Sequence, residues 1–276
     1  RPRLTVVALD APTGIDIDTG QVQSSRVTAD ITIAFGYPKI AHYTMPAAEY
    51  CGSVLVADIG MPDGIDEDIK TNLITDELII PKLPKRPLNA HKGTFGKVLF
   101  IGGCQRYKGA AYLATRASTR AGAGLVTAAT PLSIQLDLVE KVPEITYMML
   151  PETQDGYIDA DAHSQVMGSI DDFNTVLIGC GLGITDSTIS FINSLLLSNS
   201  KLPSPVIDAD ALTILSKKTD WYKKFDQLAI LTPHVGEMSR LVGPGLSIQK
   251  HISTEDLIKY ANKWNKIIVM KGPYTR

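Results

Sequence analysis

The sequence predicts an α/β protein built on a mostly parallel sheet with helices on both faces, preceded by part of a second, smaller α/β domain. Three observations predict it. Short runs of Val, Ile and Leu bounded by Gly or Asp, such as "TVLIGCG" at 175–181, have the composition of strands buried on both faces. From Lys97 onward such runs alternate with segments of helical composition, which is the spacing of β-α-β units. Ahead of that block lies a stretch with Pro62, Pro81, Pro84 and Pro87, where proline removes backbone donors and breaks regular structure.

In chain order, "LTVVALD", "ADITIAFG" and "SVLVADIG" read as three strands rich in Val, Ile and Thr. No amphipathic helix is expected between them, so residues 1–62 are too few to close a core of their own. The first residues lack both Met and a signal-peptide pattern and enter a strand almost at once, so the chain is expected to begin inside a domain. Residues 63–87 are expected to form a linker, and residues 88–276 a second domain. There the strand "KVLFIGG" precedes the small-residue helix "GAAYLATRASTRAGAG" and the strand "LVTAATP". Further on come "TVLIGCG", the helix around "STISFINSLLL", "PVIDADAL", "LAILTPH", the helix "STEDLIKYANKW" and the strand "KIIVMKG". Ser253 and Asp256 are placed to form a capping box for the last helix.

Composition narrows the function. The 276 residues are 44% hydrophobic and 20% charged, ordinary for a protein with a core, and the formal net charge is -2. Nucleic acid and anionic membrane, which favour clustered Lys and Arg, are not expected as partners. No uninterrupted apolar run reaches the roughly 18 residues that a membrane-spanning helix needs. Cys51, Cys104 and Cys180 are scattered with no CxxC pair, which suits free thiols in a reducing compartment, so a cytoplasmic location is expected. A homo-oligomer stays open.

Ligands of open α/β sheets bind beyond the carboxyl ends of the strands. Four strands deliver polar or Gly-rich loops there: "IGGCQRYKGAA", "IGCGLG", "LTPHVGE" and "MKGPYT". Glycine lets backbone amides approach an anion, helix N-termini add partial positive charge, and Lys271 adds a full one. One such loop is as well explained by a tight turn. Four at one edge of one sheet point to a nucleotide site.

The phrases "HKGTFGKVLFIGG", "YKGAAYLATRASTRAGAGLV", "IGCGLG", "IDADAL", "LTPHVGE" and "VMKGPYT" resemble, in order and spacing, the signatures of the ADP- or ATP-dependent NAD(P)H-hydrate dehydratases. These are members of the ribokinase-like superfamily, and the resemblance covers approximately residues 88–276. The phrases at His91 and His234 are the most diagnostic. The front block, with "VVALDAPTGIDIDTG", "TIAFGYPK" and "YCGSVLVADIGMP", resembles the C-terminal half of NAD(P)H-hydrate epimerase, which is Rossmann-like. The two occur in this order on one chain in many microbes.

The resemblance implies roles. In the front block Asp10 would contact the substrate and Thr13 would ligate potassium, a hard cation suited to oxygen ligands; alternatively both only stabilise the "PTG" turn. In the larger block His234, Ala110, Gly181 and Gly183 would contact the hydrated dinucleotide, the last three alternatively serving close helix–strand packing. Val235 stands where the family has a second Pro, and Thr213 where it commonly has Asn. Lys271, Gly272, Pro273, Tyr274 and Thr275 match the K-G-x-x-T loop that would cradle the adenine nucleotide, either ADP or ATP. Asp208 and Asp210 could hold a magnesium-bound water network, or could cap the following helix, which is the expected role.

The implied chemistry is repair of hydrated NADH or NADPH. A nucleotide phosphorylates the ring hydroxyl of the (6S) hydrate, phosphate then leaves, and the epimerase half interconverts the R and S hydrates. Phosphoryl transfer rests on positioning and charge stabilisation, helped by a carboxylate that takes the hydroxyl proton. In the family that base is the Asp of a Gly-Ser-Gly-Asp motif downstream of K-G-x-x-T. It is expected beyond Arg276, so this stretch alone is expected to be inactive. Two alternatives are a ribokinase-like kinase of another small alcohol, such as a vitamin precursor, and a non-catalytic binding or scaffold protein.

Overall fold

The computed structural model describes residues 4–198, 201–243 and 252–276. The chain divides into two units, Arg1–Pro87 and Leu88–Arg276.

The first unit holds a three-stranded parallel sheet of β1 (Val7–Leu9), β2 (Ile31–Phe35) and β3 (Ser53–Ala57), in that order. Val7 pairs with Ile31, and Ile31 with Ser53. Between β2 and β3 run two short 3-10 turns, Ile40–Tyr43 and Ala47–Tyr50, and no α-helix. Alternation separates the faces: Ala8, Thr32 and Ala34 are buried, while Val7, Leu9, Phe35 and Leu55 are exposed. The buried Thr32 hydroxyl donates to the Cys51 carbonyl at 2.6 Å, which satisfies a polar group that burial would otherwise strand. Residues 63–87 are exposed throughout. Their one α-helix is α1 (Asp76–Ile79), capped by Thr75, whose side chain accepts the Leu78 N–H.

The second unit alternates strand and helix as the sequence predicts. It runs β4 (Lys97–Ile101), α2 (Lys108–Arg120), β5 (Leu125–Pro131), α3 (Leu132–Val139), β6 (Thr146–Leu150), α4 (Ala162–Met167), β7 (Thr175–Ile178) and α5 (Asp186–Leu197). It continues with β8 (Pro205–Ile207), α6 (Asp210–Ser216), α7 (Trp221–Lys224), β9 (Ile230–Leu231), α8 (Val235–Val242), α9 (Thr254–Trp264) and β10 (Ile267–Ile268). The strand order is β10-β9-β8-β7-β4-β5-β6, and every pairing is parallel.

The period of two along β4 shows why the strands are apolar on both faces. Leu99 and Ile101 join one core with Val176, Ile178, Phe191 and Ile192, and Phe100 points into the other with Val126, Ala128, Ile134 and Leu138. Burying one leucine or phenylalanine side chain stabilises by about 1.5–3 kcal/mol. From β4 the chain first builds outward through β5 and β6. It then returns to the other side of β4 with β7 and builds away through β8, β9 and β10. The strand order therefore reverses between β4 and β7, and a crevice opens at such a reversal beyond the carboxyl ends.

The α9 start differs in detail from the expected capping box. The Ser253 hydroxyl accepts the Asp256 N–H at 3.0 Å, but the Asp256 carboxylate takes the Ser253 hydroxyl proton at 2.9 Å instead of the Ser253 backbone N–H. Aspartate is one methylene shorter than the glutamate of a full box, so its carboxylate stops at the nearer donor. Among the described residues no helix is long and apolar enough to cross a membrane.

Candidate functional site

At the β4/β7 reversal two glycine turns lock together. The Gly103 N–H donates to the Cys180 carbonyl at 2.9 Å, and a Cβ on Gly102 would stand 2.6 Å from that same oxygen. Gly181, at φ 73°, brings the β7 turn against the start of α2: an added Cβ would meet Ala110 Cβ at 2.8 Å and the Tyr107 carbonyl at 3.0 Å. Gly183, also at φ 73°, lies under Tyr157, whose ring would be 2.4 Å from an added Cβ. Tyr157 belongs to a hairpin after β6, held to the β4 turn where the Gln105 N–H donates to the Gly156 carbonyl at 3.1 Å. Ala110, Gly181 and Gly183 are thus brought together, and close packing explains these glycines whether or not a ligand is bound.

Beyond β8 the chain presents Asp208, Ala209 and Asp210. The Asp208 carboxylate accepts from Lys271 Nζ at 2.6 Å and from the Thr232 hydroxyl at 2.7 Å, with the Cys180 thiol 3.6 Å away. Burial pushes Asp208 upward; the Lys271 ammonium and the Thr232 hydroxyl outweigh it and leave the carboxyl below its ordinary 3.8. Burial first, and the Asp208 charge second, push the Cys180 thiol up to about 12. The Asp210 carboxylate accepts the Gly183 N–H at 2.8 Å. The expected capping role is corrected here. Ala209 holds the N-cap position of α6 with no side-chain cap, and the two flanking aspartates are bonded across to neighbouring strands.

One strand further, His234 is the N-cap of α8. Its Nδ1 accepts the Gly236 N–H at 2.9 Å and the Glu237 N–H at 3.3 Å, and Glu237 Oε2 accepts the His234 N–H at 2.8 Å. Nδ1 is occupied as an acceptor, so the neutral imidazole carries its proton on Nε2. That nitrogen lies 3.4 Å from Oε1 of the buried Glu237, while the His234 side chain itself is 53% exposed. Val235 takes the first helical position, where a missing N–H costs nothing, so the proline usual there and this valine are interchangeable for the helix. Thr213 accepts from Arg240 at 3.3 Å, joining α6 to α8.

His234 and Lys271 are bridged in parallel, the Lys271 N–H donating to the Pro233 carbonyl at 2.8 Å. The Lys271 ammonium is paired, with Asp208 at 2.6 Å and Glu237 3.8 Å away. After it the chain closes a hairpin in which Met270 and Arg276 exchange both backbone hydrogen bonds, at 2.7 and 3.1 Å. Gly272, Pro273, Tyr274 and Thr275 form its exposed tip. Ala110, Gly181, Gly183, His234 and the 271–275 loop all follow carboxyl ends of one parallel sheet, so they share one rim.

In the first unit Asp10 follows β1 at φ 62°, in the left-handed region. Its carboxylate accepts the Phe35 N–H at 3.0 Å and is ion-paired with Lys39, and its carbonyl accepts from His42 Nε2 at 2.9 Å. Burial raises this carboxyl, and the Lys39 and Phe35 donors outweigh it and leave it below 3.8. Asp10 therefore fastens β1 to the segment after β2 instead of bracing the "PTG" turn. Thr13 is exposed, and its carbonyl accepts the Val27 N–H at 3.0 Å.

The carboxylates of the two sites do not gather as metal ligands. Among the described residues no group of three or more His, Cys, Asp or Glu gathers to hold one. Asp208 is already charge-paired to Lys271, and Asp10 to Lys39.

A family model described as NAD(P)H-hydrate dehydratase matches residues 98–276. The chain belongs to the NAD(P)H-hydrate dehydratase family. A second model, YjeF-related protein N-terminus, matches residues 1–41. The bifunctional NAD(P)H-hydrate repair enzyme Nnr of Moorella thermoacetica is 36% identical over 98% of this chain and 51% of its own. The Coxiella burnetii protein of the same name is 35% identical over 97% and 52%. The chain thus spans about half the length of the curated relatives it matches. Among solved structures, the ADP/ATP-dependent NAD(P)H-hydrate dehydratase of Bacillus subtilis, co-crystallised with ATP and Mg2+, is 30% identical. It matches with a TM-score of 0.57 over 73% of this chain and 66% of that one. A ribokinase-like protein of Enterococcus faecalis matches with a TM-score of 0.56 at 25% identity, over 69% and 62%.

Within this dehydratase family frame, sequence reasoning missed Glu237, Thr232 and Tyr157. Glu237 carried a signal, its spacing of three from an N-cap residue. The diagnostic His91 phrase stands elsewhere, ahead of the amino end of β4. His91 Nδ1 accepts the Gly93 N–H at 3.1 Å there, at the sheet edge opposite the rim.

Proposed function

We propose that the rim of the second unit binds a hydrated nicotinamide dinucleotide beside an adenine nucleotide, for nucleotide-dependent dehydration of (6S)-NAD(P)H hydrate. The observation that carries this reading is the convergence of Gly181, Gly183, His234 and the Lys271–Thr275 hairpin on one edge of one parallel sheet. His234 offers its Nε2 proton to the dinucleotide. Ala110, Gly181 and Gly183 offer backbone close to its ring. Lys271, oriented by Asp208, faces nucleotide phosphate, and the exposed 272–275 tip receives the adenylate, as either ADP or ATP. Magnesium would arrive on the nucleotide phosphates, since the protein's own carboxylates are engaged.

In the first unit, Asp10 is the residue we assign to the hydrate as it epimerises, its carboxylate held ionised by Lys39. The potassium expected at Thr13 enters no step of this reading. Together the two units support the bifunctional repair that the relatives' names describe.

Calorimetric titration with ADP and with NADPH, the reaction product, tests the dehydratase reading. Both are expected to bind, and each in the presence of the other. A protein that takes up neither ligand, or that transfers phosphate stably to a vitamin alcohol, would overturn it.

A further inference from the structure

Asp208 and Asp210 flank a single residue, yet their carboxylates bond to opposite parts of the rim. Asp208 reaches Lys271 Nζ at 2.6 Å and Thr232 at 2.7 Å, towards β9 and β10. Asp210 reaches the Gly183 N–H at 2.8 Å, towards β7. The two side chains diverge this far because Ala209 between them sits at φ 52°, ψ -121°, a conformation that L residues rarely adopt. Backbone held in such a region persists only where its surroundings over-determine it, and such positions cluster at functional sites. The surroundings here include the Asp208 N–H bonded to the Ile178 carbonyl at 2.9 Å. They also include Gly179, whose added Cβ would stand 1.8 Å from the Asp208 carbonyl.

We propose that Asp208–Ala209–Asp210 is a positioning element serving two ligands at once, Asp208 orienting Lys271 for nucleotide phosphate and Asp210 orienting the Gly181–Gly183 turn for the dinucleotide. This rests on the functional reading above. An ammonium on a four-carbon stem samples many rotamers, and a carboxylate partner selects one of them, here the rotamer between Asp208 and Glu237. The turn with Gly181 and Gly183 at φ 73° is defined largely from outside, its Gly183 carbonyl held by the Thr188 hydroxyl at 2.9 Å and its Gly183 N–H held by Asp210. The pair explains why two acids stand where neither caps a helix nor joins a metal cluster.

The test is a double dissociation, read by calorimetric titration of the whole chain with ADP and, separately, NADPH. Asp210→Ala is expected to weaken NADPH by about fivefold or more, the loss of one hydrogen bond's worth of order, and to leave ADP within about twofold. Asp210→Asn, whose amide oxygen still accepts the Gly183 N–H, is expected to restore NADPH binding. Asp208→Asn is expected to do the reverse, weakening ADP and sparing NADPH. Equal loss of both ligands in either aspartate variant, or no loss in both, overturns the proposal. If the unaltered protein binds neither ligand, the functional reading itself fails and carries this one with it.

Discussion

The Lys271 ammonium lies 2.6 Å from the Asp208 carboxylate and ties the chain after β10 to the end of β8, across the intervening strand β9. Replacing Lys271 by Met leaves a carboxylate that is only 23% exposed without its counter-ion. Denaturant melts should show a loss of about 1–2 kcal/mol near neutral pH, at the low end for such pairs because Lys271 itself is partly solvated. The sign with pH follows from the depressed folded value of Asp208. Its contribution is present above the ordinary carboxylate pKa and is lost as pH falls through the folded one. The gap between Lys271→Met and the parent should therefore close below pH ~4, and a gap constant down to pH ~2 would contradict the pairing.

The cap that His234 supplies can be separated from its proposed ligand contact. Its Nδ1 caps α8, and its Nε2 stands 3.4 Å from Glu237 Oε1 on an imidazole that is 53% exposed. His234→Ala should cost about 0.5–2 kcal/mol of stability through the lost cap. His234→Asn keeps an acceptor at the N-cap, so its melting temperature should stay near that of the parent while NADPH affinity falls. If Asn preserved both stability and NADPH affinity, the imidazole would be a cap and nothing more.

Gly179 and Gly109 should respond oppositely to alanine. At Gly179, φ is 125° and an added Cβ would stand 1.8 Å from the Asp208 carbonyl, so Gly179→Ala should destabilise by about 3 kcal/mol. At Gly109, in the first turn of α2, an added Cβ meets nothing within 4 Å, so Gly109→Ala should be neutral or stabilising by up to about 1 kcal/mol. Paired urea melts check both.

Cys180 should be inert. With its thiol pushed up to about 12, almost no thiolate exists at neutral pH, and Cys51 and Cys104 are fully buried with thiols that burial also pushes up. Ellman's reagent should label the native protein slowly and the unfolded one fully. Rapid native labelling of one equivalent at Cys180, identified by peptide mapping, would mean the Asp208 neighbourhood is open to solvent.

Much of the sheet was legible because its middle strands are buried on both faces. β4 (KVLFI), β5 (LVTAATP) and β7 (TVLI) are dominated by apolar residues on both faces, a composition that few other elements need. Less legible were β6, an edge strand whose "TYMML" is only partly buried, and α4, a helix of six residues. The start of α8 was hidden by Gly236, which makes "HVGE" read as a turn although His234 and Glu237 have capping-box spacing. The rim positions could be ordered from the sequence by strand ends alone. The Asp208 bond to Lys271 could not, since the partners are 63 residues apart and local pattern carries no trace of such a meeting.

The turn capped by His91 has a consequence of its own. It packs so tightly that a side chain on Gly124 would stand 1.7 Å from the Lys92 carbonyl, and it does so at the end of the sheet away from the ligand rim. One of the two phrases that most readily betray kinship is therefore a fastening of the scaffold. Two descendants could share it intact while their chemistries drift apart, because ligands of open parallel sheets bind at the far end of the strands.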